Sequence, residues 1–413
     1  MTLEDLILQL NQKGVRLSFV HGELKVQAPR GVMTAALQAE IKEKKQDLIH
    51  YLSPALLSEK PMDFSVFFFS NELQVETENK YKLVLDATQY ADQHGFVGVW
   101  TPERHFNELG GLFPNPAVLG AALSVLTKNL KIRAGSVVLP LQDPIRVTEE
   151  WAIVDQLSEG RVELSFATGW HANDFALARD SQRDYAQRHS LMYQRLDTVR
   201  ALWQGNSVTR KDGGGQNIEL FTFPRPKQKE LPLWLTAIGN PDSYQKIAAK
   251  GTHLLTCLLD QDIDELGQKI TLYRKSLKEN GFNPSDFKVA VFVHTYVGED
   301  GAAVKEEVAP ALKNYLKNTL DLLGKLSQST GVNLNPDEFT AADQETLLDF
   351  AFERYYEERS LMGDIHKCED MVQALAQAGV DEIACLVDFG LPSAQVMQGL
   401  EQLAKLVKKH VRT

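Results

Sequence analysis

Beyond residue 62 the chain repeats one pattern eight times: a short, almost continuously apolar run, then a stretch with helical spacing of its apolar residues. The runs cover residues 63–69, 96–101, 131–139, 161–167, 233–237, 252–258, 288–297 and 382–387. Strands that are apolar on both faces belong to a parallel sheet covered by helices, and parallel neighbours need crossovers long enough to hold a helix. Eight such units predict an α/β fold closed into a (β/α)8 barrel. An open doubly wound sheet is the alternative, but no Gly-x-Gly-x-x-Gly follows the first run. Two long interruptions, 170–232 and the largely helical 301–379, sit where a barrel carries insertions over its catalytic mouth. The second is the candidate cover.

The first 58 residues follow a different rule. Thr2 precedes Leu3, Leu6, Ile7 and Leu10 at helical spacing, and Gly14 ends that helix. Residues 15–20 and 23–27 read as a hairpin around His21-Gly22, closed off by Pro29-Arg30-Gly31. Leu37, Ile41, Leu48 and Leu52 mark a second helix over 34–52. The result is a small α-β-β-α unit with residues 53–61 as a linker. It carries seven Lys or Arg (Lys13, Arg16, Lys25, Arg30, Lys42, Lys44, Lys45) against six acids (Glu4, Asp5, Glu23, Glu40, Glu43, Asp47), while the whole chain stands at −11. The remainder is therefore at −12. An exposed hairpin edge can accept an extended peptide as an added strand, and an acidic tail suits this balance.

Charge and composition narrow the function classes. A net charge of −11 without a basic stripe argues against nucleic acid as a partner. The absence of a long apolar run and of a leader-like start predicts no membrane span and a cytoplasmic location. Cys257, Cys368 and Cys385 are widely spaced and odd in number, which fits buried thiols better than a disulfide frame or a metal site.

In a barrel the carboxyl ends of the strands converge on one mouth, where chemistry is built. Glu103, Arg104 and His105 follow the second run, Gly135 and Ser136 close the third, Thr168, Gly169, Trp170 and His171 follow the fourth, and Ala237, Gly239 and Asn240 follow the fifth. Asn240-Pro241 reads as a helix start with flexible Gly239 before it, and free N–H groups at such a terminus suit a phosphate. Arg104 is permanently charged and suits holding an oxyanion or a carbonyl oxygen. Because an imidazole side chain can both take up and release a proton near neutral pH, His105 and His171 are the candidates for proton transfer. Against these roles stand ion pairing with Glu103 and loop shaping. Trp151, Trp203 and Trp234 read as core, His94 as a helix C-cap, and Gly213-Gly214-Gly215, following no expected strand, as a flexible turn.

Six motifs in this order resemble the luciferase-like, FMN-dependent monooxygenases, and most closely their MupA subgroup from natural-product assembly lines, over residues 62–398. They are Trp-Thr-Pro-Glu-Arg-His-Phe (100–106), Leu-Phe-Pro-Asn-Pro-Ala-Val (112–118), Arg-Ala-Gly-Ser-Val-Val-Leu-Pro-Leu (133–141), Asp-Gln-Leu-Ser-Glu-Gly-Arg-Val (155–162), Ala-Thr-Gly-Trp-His (167–171) and Leu-Pro-Leu-Trp-Leu-Thr-Ala-Ile-Gly-Asn-Pro (231–241). Residues 1–58, with Gly-Val-x-Leu, Gly-x-Leu-x-Val and a late Lys-rich helix, resemble the TubC-type N-terminal docking domain of nonribosomal peptide and polyketide assembly lines.

The first resemblance implies a luciferase-like (β/α)8 TIM barrel with a helical insertion and FMN across its mouth. The FMN phosphate is expected near Thr168, Gly169, Gly239 and Asn240. The flavin ring is expected against Gly135 and Ser136, where the family places a non-prolyl cis peptide, with Trp170 as a wall. Two departures matter. Luciferase assigns acid–base work to a histidine in the slot held here by Arg104, so that role does not transfer, and its reactive cysteine corresponds to Ala167. The second resemblance implies an upstream assembly-line protein docked on residues 1–58. Together they imply hydroxylation of an acyl or peptidyl group on a carrier protein with O2 as cosubstrate, reduced FMN from a separate flavin reductase, and a homodimer through outer helices. Hydroxylation at the carbon beside the thioester is the first expectation, with nitrogen hydroxylation and insertion beside a ketone left open. Two alternatives remain: hydride transfer with the deazaflavin F420 on the same barrel, and a catalytically silent scaffold.

Overall fold

The structure is a computed structural model, and it describes residues 6, 9–10, 13, 15–20, 23–29, 31–45, 48, 62–69, 79–259, 261–318 and 341–410. The chain divides into two compact units, Met1–Pro61 and Met62–Thr413.

In the first unit, β1 (Arg16–Val20) pairs antiparallel with β2 (Glu23–Gln27), from Arg16 opposite Gln27 to Val20 opposite Glu23. A helix over Ala35–Glu43 follows, its first turn capped by the Thr34 side chain, which accepts from the Leu37 amide at 3.3 Å. Leu6, Leu10, Val15, Leu37, Ile41 and Leu48 bury together as one core, so the helical spacing named a real face. The turn at His21-Gly22, most of the opening helix, Leu52 and the linker lie outside the described residues.

The second unit is the expected closed barrel. Its strands are β3 (Asp63–Phe67), β4 (Gly98–Thr101), β5 (Lys131–Val138), β6 (Val162–Ala167), β9 (Leu233–Thr236), β10 (His253–Cys257), β11 (Val289–Gly298) and β13 (Glu382–Leu386). Each is hydrogen-bonded in parallel to the next in that order, and β13 returns to β3 with Glu382 opposite Asp63 and Leu386 opposite Phe67. All eight expected strands are present.

Three further strands went unread. β7 (Val208–Lys211) and β8 (Asn217–Leu220) form an exposed antiparallel hairpin. Gly213-Gly214-Gly215 is therefore the turn of this hairpin and does follow a strand, and the Asp212 carboxylate accepts the Gly214 and Gln216 amides at 2.9 Å each. β12 (Leu361–Asp364) adds in parallel to the far end of β11.

Asx-Pro pairs start three of the covering helices. Asn115 caps Pro116–Leu126, Asp143 caps Pro144–Leu157 and Asn240 caps Pro241–Ala249, each side chain accepting first-turn amides. Proline at the first helical position loses no hydrogen bond there and has its φ already set. Because each helix follows the carboxyl end of a strand, these starts lie on the mouth side.

The Asp-Gln-Leu-Ser-Glu-Gly-Arg-Val motif serves the opposite side. Buried Asp155 accepts the Lys227 and Gln228 amides and the Gln228 side chain at 2.7–2.9 Å, and Arg161 donates to the carbonyls of Ser124, Thr127, Leu130 and Ser158. Both sit where chain enters β5, β6 and β9, so they join strand starts.

The three cysteines are buried thiols. Trp151, Trp203 and Trp234 are core residues, each 1% exposed, and His94 is the C-cap of Lys82–Gln93, stacked on Tyr90. No helix among the described residues is long and apolar enough to cross a membrane.

Two histidines lie in the barrel wall, His294 fully buried and His253 half-buried. His294 on β11 has its Nδ1 at 2.8 Å from the Tyr355 hydroxyl and its Nε2 without a partner, and burial pushes its pKa down to about 3. His253 on β10 accepts the Lys288 amide on Nδ1 at 2.8 Å, and burial brings it to about 4. The unfolded chain binds a proton on each near pH 6.5 while the folded chain does not. Stability therefore falls as pH drops from about 6.5 towards 4. Urea melts at pH 7 and pH 5 should show a loss that is smaller by about 2 kcal/mol in His294→Gln than in the wild type; equal losses would contradict the neutral burial of His294.

Candidate active site

The loop leaving β4 places Glu103, Arg104 and His105 in three different environments. Arg104 returns its backbone amide to Phe113 O at 3.0 Å, folding residues 104–113 over the strand end. Gly110, at φ +77°, lies so close that a Cβ would stand 2.9 Å from Arg104 Cγ. Beneath this fold the Arg104 side chain is 3% exposed, with Nη1 bound to both Asp174 oxygens at 2.5 and 2.7 Å. Its guanidinium lies 4.9 Å from the centre of the Trp170 ring, and its Nε is buried without a partner.

Of the ion pairs with Glu103 that stood against a catalytic role, His105 makes one, while Arg104 pairs with Asp174 instead. The reason is that Glu103 is already saturated from the other side. Its carboxylate accepts the Val138 amide at 2.7 Å, the Gln142 side chain, and His105 Nε2 at 3.0 Å. Glu103 therefore ties the β4 loop to the end of β5. A neutral His105 then donates from Nε2, leaving Nδ1 as its basic nitrogen.

His171 belongs with Arg104. Its Nδ1 is 3.6 Å from Asp174 Oδ1, is buried and has no hydrogen-bond partner, and its ring meets Trp170 edge-on at 5.2 Å. Arg104, Trp170, His171 and Asp174 thus form one cluster, while His105 stands apart with Glu103. Trp170 itself is 60% exposed at the mouth.

The end of β5 is irregular. The Gly135–Ser136 peptide is cis, as the resemblance implies, and the pairing with β6 shifts between Gly135 and Val137. A Cβ at Gly135 would stand 2.9 Å from Phe67 and 3.0 Å from Trp100, so only glycine fits. Ser136 Oγ lies 2.8 Å from Ser165 Oγ and 2.6 Å from Thr236 Oγ1, with Ser165 and Thr236 3.0 Å apart. Three neighbouring strands thereby present a trio of hydroxyls.

Thr168 and Gly169 leave β6 beside Ala237, Ile238 and Gly239 leaving β9, since Phe166 pairs with Leu235. Gly169 and Gly239 take φ of +75° and +72°. The helix start at Asn240 differs from expectation: the Asp242 and Ser243 amides are taken by Asn240's own side chain and carbonyl, and the Asn240 amide by Ile238 O. Those donors are not free. Among the described residues, the amides of Thr168, Gly169, Ile238 and Gly239 make no bond to another loop or cap carbonyl, so the unclaimed donors lie one step back along the chain.

This donor set fits FMN. Neutral N–H groups and the Thr168 hydroxyl on two adjacent strand ends suit its phosphate. The hydroxyl trio and the unpartnered Arg104 Nε and His171 Nδ1 suit its polar ring edge or a reacting group beside it. Asp174, Ser165 and Thr236 were missed in the sequence. Asp174 carried one signal, its place three residues after His171, but the short 3-10 stretch Ala172–Leu177 that makes such spacing meaningful has no apolar pattern.

A family model described as the luciferase-like monooxygenase matches residues 62–382, and one described as the TubC N-terminal docking domain matches residues 3–53. The chain is 22% identical over 353 residues to the oxygenase component of the flavin-dependent trigonelline monooxygenase of Acinetobacter baylyi, covering 83% of this chain and 93% of that protein. It is 22% identical over 330 residues to the alkanal monooxygenase alpha chain of the Kryptophanaron alfredi symbiont, covering 76% and 87%. Among solved structures it resembles the monooxygenase RslO1 from Streptomyces bottropensis, with TM-score 0.68, 19% identity and coverage of 84% and 99%. It also resembles the oxygenating constituent of the Pseudomonas putida 3,6-diketocamphane monooxygenase in complex with FMN, with TM-score 0.68, 17% identity and coverage of 85% and 99%. The structural likenesses establish the barrel.

Removing one member of a buried pair strands the other's charge. Asp174→Ala should lose about 3–5 kcal/mol in denaturant unfolding, and the apolar double replacement Arg104→Met with Asp174→Leu clearly less. Additive losses would show that the two side chains are not coupled.

Proposed function

The chain belongs to the luciferase-like monooxygenase family, and from that premise we propose that it is the oxygenase of a natural-product assembly line. Its substrate is an acyl or peptidyl thioester on a carrier protein, hydroxylated at the carbon beside the thioester carbonyl with reduced FMN and O2. The observation that carries this reading is the presence in one chain of this barrel and a match to the TubC docking domain. An enzyme acting on a free metabolite has no use for a module that recruits an assembly-line neighbour. The β1–β2 hairpin, in a unit at +1 on a chain at −11, suits an acidic tail of the upstream protein added as a strand.

When bound, reduced FMN supplies the oxygen-activating chemistry, and it comes from a separate reductase. The protein binds, orients and excludes water. Thr168, Gly169, Ile238 and Gly239 hold the phosphate. Gly135 and Ser136 hold the ring, with Ser136 kept in place by Ser165 and Thr236. Trp170 walls the substrate side.

Arg104 is a fixed donor. Asp174 neutralises its charge and occupies Nη1, leaving Nε to meet an oxyanion or the thioester carbonyl oxygen. Such a donor is preorganised and needs no rearrangement as charge develops. His171, whose Nδ1 faces the same cluster, accepts or returns the proton, and His105 is the second candidate through its Nδ1.

The test supplies photoreduced FMN, O2 and a carrier loaded with a thioester substrate, and reads the product by mass. One added oxygen atom on the acyl group is expected, with Arg104→Ala lowering the rate about 10²- to 10³-fold while FMN affinity changes little. Turnover without O2 on F420 would replace this reading with the deazaflavin one, and binding of neither cofactor would leave a scaffold.

A further inference from the structure

A cleft of about 510 Å³ opens beside the mouth, outside the flavin site described above, and its lining includes Gln142, Arg179, Arg183, Arg195, Thr198 and Arg210. Four arginines around one cleft are unexpected on a chain at −11. Of the two acids on the same wall, one is committed elsewhere and the other neutralises Arg183, a cleft arginine. Asp143 caps the helix Pro144–Leu157 through the Ile145 amide at 2.9 Å, and Asp184 accepts from Arg183 at 2.7 and 2.9 Å. Among the described residues, no carboxylate stands within ion-pair distance of Arg179, Arg195 or Arg210.

Arg195 is the built part of this cleft. It projects from the helix Arg188–Gln204, and its Nη1 donates to the carbonyls of Leu139, Pro140 and Gln142 at 3.3, 2.6 and 2.9 Å. One end of the guanidinium is anchored, and the other N–H groups are aimed by that anchor. Burial lowers its pKa, with Asp184 and Asp143 opposing and Arg179 and Arg183 adding to the effect. Neighbouring cations close enough to repel one another favour an anion between them.

The walls of the cleft continue the walls of the active site. Residues 139–143 follow directly from β5, the strand that carries Gly135 and Ser136. Residues 177–179 follow the loop that carries Trp170, His171 and Asp174. Gln142 spans both sites, giving its carbonyl to Arg195 and its side-chain amide to Glu103.

We infer that this arginine cleft binds the phosphodiester of the phosphopantetheine arm on which the carrier presents its substrate. The inference rests on the assembly-line reading and deepens it. The arm is neutral except at that phosphate, so a planar guanidinium set beside the mouth is the recognition its chemistry allows. Gripping the phosphate fixes one end of the arm while the thioester enters the mouth, which raises the local concentration of the reacting group without a tight pocket for the acyl chain.

Calorimetric titration of the full-length protein with 4′-phosphopantetheine and with pantetheine tests this. The phosphorylated arm should bind at least about tenfold more tightly, and that preference should vanish in the Arg179→Gln/Arg210→Gln variant, whose two exposed side chains leave the fold intact. FMN affinity should be the same in both proteins. Equal binding of the two arms, or a preference that survives the variant, overturns the inference. Displacement of phosphopantetheine by FMN also overturns it, by making the cleft a flavin-phosphate site. Because the readout is binding, it separates from the assembly-line reading: loss of O2-dependent turnover with the phosphate preference intact refutes the reaction, and turnover of carrier-bound substrate at unchanged kcat/KM in the variant refutes the cleft.

Discussion

A buried guanidinium holds the barrel in register. Arg133 on β5 packs against Trp100 on β4 and Trp234 on β9, 4.7 and 5.3 Å from the centres of two rings that themselves meet edge-on, and pairs with Glu163 on β6 at 2.9 Å and Glu382 on β13 at 2.6 Å. Ser65 on β3 and the Trp100 indole also bind Glu382, and the Trp234 indole binds Glu163. Six strands meet in this one layer. Burial disfavours the Arg133 charge, but Glu163 and Glu382 more than offset it. Desolvation cancels much of the Coulomb gain in such a cluster, so its effect lies more in specifying one arrangement than in adding net stability. Slipping any of the strands by one residue would turn a charge or an indole outward and strand its partner inside. Even the neighbouring backbone conforms: a Cβ at Gly98 would stand 2.9 Å from Arg133 Nη1.

What the layer fixes below, the mouth inherits above. Two residues beyond Glu163 on β6 is Ser165, and two beyond Trp234 on β9 is Thr236. Residues two apart on a strand share a face, so the register that joins Arg133 to Glu163 also brings Ser165 and Thr236 together, and the pairing shift between Gly135 and Val137 turns Ser136, three beyond Arg133, onto the same side. Phe67, two beyond Ser65, stacks on Phe292 at 5.0 Å and closes the interior under Gly135. The site geometry is therefore a consequence of the core. It does not depend on the loops for its floor, only for its rim.

This division explains what could be read from the sequence. The eight barrel strands were legible because burial on both faces forces continuous apolar runs, and a run such as Val-Glu-Leu-Ser-Phe-Ala (162–167) stays legible with two polar residues in it. β7 and β8 were not, because Val-Thr-Arg-Lys and Asn-Ile-Glu-Leu are mostly exposed and carry no burial signal. Positions at strand ends were legible as candidates, which put Arg104, Ser136, Thr168, Trp170, His171 and Gly239 at the mouth. Pairings among them were not. Arg104 meets Asp174 across 70 positions of sequence, and adjacency had suggested Glu103 instead. Charge type predicts that a buried arginine needs an acid, but only the fold decides which.

Glu103 shows why that decision has chemical weight. Had it paired with Arg104, the guanidinium would turn toward β5 and away from Trp170 and His171. By taking the Val138 amide, Gln142 and His105 instead, it leaves Arg104 to Asp174 and orients His105 from one side. A histidine in the Arg104 position would bring a proton that comes and goes; an arginine brings a donor that never loses its proton. In the proposed reaction, acid–base work would then fall on an imidazole nearby. On the proposed function His171, held against the same aspartate, takes that task, and the departure at residue 104 would separate charge stabilisation from proton transfer onto two neighbouring side chains.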